Sequence, residues 1–153
     1  MPCLPSPPCS CPWALVLLLL ASLPFLPQAG VFRVGVLGPW SCDPLFAKAR
    51  PQLAAMLAVE RINHDPSLSL GVVFQYEVLE EDCQTSRALG GFLRHHPRAN
   101  AYLGPVNPGY CDAASLLAKN WNKALFSWAC VNYELDEHQQ HSTFMRTVPS
   151  PVP

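Results

Sequence analysis

Two hydrophobic patterns alternate along this chain: short apolar runs bounded by turn residues, and apolar stripes at helical spacing. Residues 31–37, VFRVGVL, are short, β-branched and bounded by Gly38-Pro39, which predicts a buried strand. Lys48 to Asn63 has no internal glycine, and Pro51 stands where the first turn of a helix tolerates proline. Leu53, Met56, Leu57, Val59 and Ile62 recur there at helical spacing, with Ala54, Ala55 and Ala58 between them. That helix is apolar on more than one face, so it is expected to be covered on two sides. Asn63-His64-Asp65-Pro66 ends it. Val72 to Leu79 reads as a second strand, and the acidic run Glu80-Glu81-Asp82 after it reads as a solvated strand end. Thr85 or Ser86 caps a second helix with the stripe Ala88, Leu89, Phe92 and Leu93, and Pro97 terminates it. Ala101 to Leu103 is a short third strand leading into GPVNPGYC, residues 104–111. A helix over 112–121, with Asp112 favourably near its N-terminus, follows that turn. Residues 124–128, ALFSW, form a fourth strand ending at Cys130, residues 131–141 a polar loop, and residues 143–148 a fifth strand.

Strand and helix therefore alternate, with connections suited to right-handed parallel crossovers. The fold class is α/β: an open, doubly wound parallel sheet with helices on both faces. Such sheets bind ligands beyond the carboxyl ends of their strands. Cys42, Cys83, Cys111 and Cys130 each follow one of the first four strands, so all four gather at that edge.

The first thirty residues stand apart from this alternation. They carry no charged side chain, hold the apolar run WALVLLLL at residues 13–20, and end on Ala29-Gly30. That run is too short to span a bilayer, and the segment reads as a secretory signal peptide, residues 1–30, with an n-region that lacks Lys and Arg. Cys3, Cys9 and Cys11 leave with it. The remaining four cysteines in a secreted chain suggest two disulfides, for which three connectivities exist. There is no Asn-x-Ser/Thr sequon. With 153 residues, half of them apolar, the chain can bury the core of about one domain, and a net charge of -1 argues against a nucleic-acid partner.

Catalytic readings find little support. A dinucleotide site needs Gly-x-Gly-x-x-Gly after the first strand, whereas this chain has GPWSCDP there. GPVNPGYC is followed by no Gly-Lys-Ser/Thr, and its prolines remove N–H groups a phosphate would use. There is no Gly-x-Ser-x-Gly elbow. His138-x-x-His141 in a polar loop and His95-His96 at a helix end read as solvated surface, with no third ligand to make a metal site. Trp40, Tyr110 and Trp128 either line a cleft at the strand ends or pack against the disulfides. No catalytic residue, metal site or cofactor is assigned.

The stretches VGVLGPWSCDP (34–44), LAVERINHDPS (57–67), EDCQTSRAL (82–89), LGPVNPGYCDAASLL (103–117) and FSWACVNYELD (126–136) resemble the start of the extracellular domain of membrane guanylate cyclases of the retinal type. TFMRTVPS (143–150) resembles a hallmark of the wider natriuretic-peptide-receptor-like ligand-binding family, which has the type I periplasmic-binding-protein fold. The resemblance spans roughly residues 31–150. It implies a first lobe of a two-lobed ectodomain, with residues 151–153 a truncated tail. It also implies a single-pass parent with a kinase-homology region and a cyclase that makes cyclic GMP from GTP in recovery from light. Calcium-sensing activator proteins act on the parent's cytoplasmic part, and no extracellular ligand is established for the photoreceptor members. The location implied is the secretory pathway, on the extracellular or disc-luminal side.

The cyclase segment has no counterpart here, so a fragment, a truncated gene model or a splice product without cyclase activity of its own is expected. From the natriuretic receptors, the resemblance implies a Cys83–Cys111 disulfide, leaving Cys42 to Cys130. It also implies a homodimer through first-lobe helices, a role suited to Leu53, Met56 and Leu57. The leading expectation is thus a segment serving folding, trafficking or dimerisation. The alternative is a peptide or small-ligand receptor lobe with Trp40, Asn107, Tyr110 and Trp128 in its cleft.

Overall fold

The computed structural model describes residues 29–48 and 50–150. The expected signal peptide and the 151–153 tail lie outside the described residues, apart from Ala29 and Gly30. Among the described residues five parallel strands form one sheet in the order β2-β1-β3-β4-β5: β1 (Gly30–Gly38), β2 (Val72–Glu80), β3 (Ala101–Leu103), β4 (Ala124–Ser127) and β5 (Phe144–Arg146). This is the expected open parallel α/β sheet. The helices are α1 (Pro44–Lys48), α2 (Pro51–His64), α3 (Pro66–Ser69), α4 (Thr85–His95) and α5 (Pro108–Asn120), with a 3-10 turn at Tyr133–Asp136.

Several boundaries differ from expectation for local reasons. Pro51 does open the long helix, but Pro66 opens a further short one: Asp65 accepts from the Ser67 N–H and caps α3. The helix expected from residue 112 starts at Pro108. Asn107 accepts from the Gly109 N–H at 2.9 Å, and Pro108 takes the first helical position, where a missing N–H costs nothing. Half of GPVNPGYC is thus the first turn of α5.

Period-two alternation sorts the sheet into two unequal faces. On one, Leu37, Leu79, Tyr102, Leu125 and Phe144 meet α4 and α5 through Phe92, Tyr110, Ala114 and Ala118, and these residues form the core cluster. The Phe92 ring lies 4.5 Å from that of Tyr102 and 5.9 Å, edge-on, from that of Tyr110, arrangements favoured by ring quadrupoles. On the other face α2 lies over β1 and β2, directing Ala55, Ala58, Val59 and Ile62 at Phe32, Val34, Phe74 and Tyr76. It stops short of β3–β5. An apolar groove of about 290 Å³ lies between α2 and strands β1–β4, and Leu103, Phe126 and Met145 are exposed. The helix expected to be covered on two sides is covered on one: Ala55 is 8% exposed, whereas Leu57 is 60% exposed.

Candidate functional site

The carboxyl ends of the strands carry the cysteines, and the strand order decides their pairing. Cys42 bonds Cys83, and Cys111 bonds Cys130, with Cα–Cα distances of 6.0 and 5.9 Å. The expected Cys83–Cys111 and Cys42–Cys130 pairs are therefore incorrect. β1, not β3, is the strand beside β2, and Cys83 is taken up by its bridge to Cys42 after β1. Each observed bridge instead joins the ends of neighbouring strands, β1 with β2 and β3 with β4. Cys111 sits in the first turn of α5 rather than directly after β3. Cys111 and Cys130 are fully buried, while Cys42 and Cys83 are exposed.

Glu81 holds the middle of this edge. It is 1% exposed, and its carboxylate accepts the Val106 N–H at 2.9 Å and the Asn107 N–H at 2.6 Å. It closes the chain just ahead of α5, where a negative charge suits the helix dipole. Burial raises the Glu81 pKa above the usual carboxylate range, the two backbone bonds oppose that rise, and neighbouring Glu80 adds to it. The expectation that Glu80-Glu81-Asp82 is a solvated end fails at its central residue. Parity explains why: Glu81 continues the alternation of Leu79, whose side chain enters the core.

The loop that Glu81 holds is tightly built. Gly104 has φ +104°, and a Cβ there would stand 2.4 Å from the Leu37 carbonyl oxygen, so only glycine fits. The Gly104-Pro105 peptide is cis. The Ser127 hydroxyl donates to the Pro105 carbonyl at 2.8 Å and accepts the Cys130 N–H at 2.9 Å, fixing the turn after β4. Arg146 of the TFMRTV stretch donates to the Asn132 carbonyl at 2.9 Å and pairs with Asp136, tying the same loop to β5.

The four residues expected in the cleft do not come together. Trp40 and Trp128 stack with ring centroids 6.3 Å apart, and Gly38 leaves the room that the Trp40 ring occupies. They flank two recesses beside the start of α2, a mixed polar and apolar one bounded by Trp40, Arg50 and Gln52, and an apolar one bounded by Val36, Leu103 and Trp128. Tyr110 points away into the core, fully buried; burial and the nearby Glu81 charge push its ionisation above the usual tyrosine range. Asn107 is occupied as the cap of α5. A ligand in the cleft would meet the tryptophans and not these two.

One polar cluster was not anticipated. His141 is 2% exposed, its Nδ1 lies 2.8 Å from the Ser115 hydroxyl, and its Nε2 lies 3.5 Å from Asp112. The residue types are those of a hydrolytic triad, but Ser115 is fully buried on the core side of α5. No substrate reaches it, and the cluster instead straps the segment before β5 onto α5. Of the pair expected at the surface, His138 is exposed and His141 is not. His96 likewise stacks on Trp121, at 4.0 Å between centroids. Among the described residues no group of three or more His, Cys, Asp or Glu is arranged to hold a metal ion, and no helix is long and apolar enough to cross a membrane.

Residues 50–152 match the family described as the receptor family ligand binding region. The chain belongs to this family. Within it, the chain is 58% identical over 140 residues to retinal guanylyl cyclase 2 of Bos taurus and 56% identical over 140 residues to that of Homo sapiens. Those matches take in 92% of this chain but 13% of each relative's length. Among solved structures, an ABC transporter substrate-binding protein from Desulfitobacterium hafniense superposes with a TM-score of 0.64 at 21% identity, over 78% of this chain and 34% of that one. The branched-chain amino acid transporter substrate-binding protein LivJ from Streptococcus pneumoniae str. Canada MDR_19A, solved with isoleucine, gives 0.63 at 19% identity over the same shares. The fold of this receptor-family chain is thus that of the type I periplasmic binding proteins, of which it covers part.

Proposed function

We propose that this chain is first-lobe sequence from the extracellular region of a retinal-type guanylyl cyclase and that it serves folding and pairing of the receptor rather than catalysis. The observation that carries the pairing is the outer stripe of α2. Leu53, Met56 and Leu57 are exposed on a well-formed helix, next to Arg50, Glu60 and Arg61. Two such helices laid antiparallel with Leu53 against the partner's Leu57 also set Arg50 against the partner's Glu60. One self-complementary patch then serves both copies, as two-fold symmetry requires. Similarity to the retinal cyclases supports a parent that makes cyclic GMP from GTP, sits in a photoreceptor membrane and answers to calcium-sensing proteins on its cytoplasmic side.

Sedimentation of the full chain with both disulfides formed tests this reading. Self-association that Met56→Glu abolishes is expected; association untouched by Met56→Glu, or none at all, would overturn it. A second reading rests on the Trp40–Trp128 stack at the strand ends, where binding proteins of this fold hold their ligands. It treats the chain as part of a peptide or small-ligand receptor. Saturable quenching of tryptophan fluorescence by a peptide, lost in Trp128→Ala, would support it over the first.

A further inference from the structure

Among the described residues β2 ends the strand order, so one side of its backbone has no described strand beside it. Parity identifies the groups that face outward. The Glu81 N–H donates to the Gly38 carbonyl at 2.8 Å, which turns odd-numbered peptide groups toward β1. Phe74, Tyr76 and Val78 therefore present their N–H and C=O groups to the open side. Such a row is a template on which a second chain can add a strand. The strand is nine residues long, and Val73 on its other face is 41% exposed, so the edge is neither short nor protected by charge at that point.

At Phe74 a side chain fills the template. The Asn63 amide nitrogen donates to the Phe74 carbonyl at 2.9 Å, and the Phe74 N–H donates to the Asn63 amide oxygen at 2.8 Å. A carboxamide offers one donor and one acceptor side by side, the pair that a neighbouring strand's backbone would offer. Asn63 lies in the last turn of α2, where asparagine is a poor helix former, so the helix gains nothing local from it. We propose that Asn63 is an edge plug: it occupies the outward groups of Phe74 and keeps β2 from pairing with β2 of a second copy. This inference stands on the β2 hydrogen bonds and is independent of the α2 pairing proposed above.

Hydrogen exchange and sedimentation of the full chain, disulfides intact, test it with two variants. In Asn63→Ala, exchange at the Phe74 amide should accelerate by about tenfold, the worth of one net hydrogen bond, while Gln75 and Glu77, bonded to β1, keep their rates. The same variant should form assemblies larger than wild type, in which the outward Tyr76 and Val78 amides become protected. Asn63→Asp still accepts from Phe74 and adds a charge at the edge, so it should keep Phe74 protected and the assembly state of wild type. Equal acceleration along all of β2, an unchanged Phe74 rate, or selective acceleration without new association would each overturn the proposal. So would association of Asn63→Asp equal to that of Asn63→Ala.

Discussion

Replacing Glu81 perturbs a side chain that joins the end of β2 to the start of α5, and the structure sets the size of the effect. In Glu81→Ala the Val106 and Asn107 N–H groups lose an acceptor at 2.9 and 2.6 Å. An unsatisfied buried donor costs about 1–3 kcal/mol, but both residues are only half-buried and water can partly replace the carboxylate, so a loss of about 2–3 kcal/mol is expected. Relief of a desolvated charge offsets part of the gross cost and is included in that figure. Glu81→Gln keeps the shape and one acceptor, and should cost about 1 kcal/mol at neutral pH. The two proteins then differ in pH dependence. The folded state binds the Glu81 proton more tightly than the unfolded state, because burial raises its pKa above the ordinary 4.5. Wild type therefore carries a stabilising contribution at low pH that is lost as pH rises through the raised folded value. Glu81→Gln has no such group. Urea unfolding of both proteins at several pH values between neutrality and 4.5 should show wild type gaining stability on Glu81→Gln as the solution is acidified. Parallel curves, or wild type losing ground on acidification, would refute the reasoning.

Other parts of the strand-end edge give sharper but simpler expectations. Non-reducing peptide mapping should recover Cys42–Cys83 and Cys111–Cys130. With sequence separations of 41 and 19, chain entropy assigns about 4 and about 3 kcal/mol to them. A mild reductant should nevertheless open the exposed Cys42–Cys83 first and leave the buried Cys111–Cys130 intact until the fold opens, as timed alkylation would record. Gly104→Ala, forced to φ +104° against the Leu37 carbonyl, should cost about 3 kcal/mol in thermal or urea unfolding. His141→Ala leaves the buried Ser115 hydroxyl without its partner and should lower stability by about 2 kcal/mol.

The parallel sheet and the edge where its chemistry gathers were legible because strand and helix periodicities alternate and each cysteine follows a strand. The disulfide partners were not. Pairing depends on which strands are neighbours, and an order with β1 between β2 and β3 reverses the pairing taken from related receptors. Glu81 read as solvated because three acidic residues in a row usually are, although extending the alternation of Leu79 by two positions would have turned it inward. Asn107-Pro108-Gly109 read as loop from its composition. The signal that it starts a helix was present, in an asparagine followed by proline at the first helical position. His141 had no local signal; only the packing of α5 against the segment before β5 buries it. The outer stripe of α2 was visible as a second apolar face, but whether it lies against the sheet or outside it is a property of the fold.

Disulfide trapping in the chain with both native disulfides formed tests the account most directly. Leu53→Cys in one copy and Leu57→Cys in the other place thiols that face each other across the α2 pair, whereas Leu116→Cys places one on α5, on the opposite face of the sheet and 41% exposed. The account predicts a covalent dimer for the Leu53→Cys and Leu57→Cys combination and none for Leu116→Cys. A dimer trapped equally by both, or only by Leu116→Cys, would contradict it.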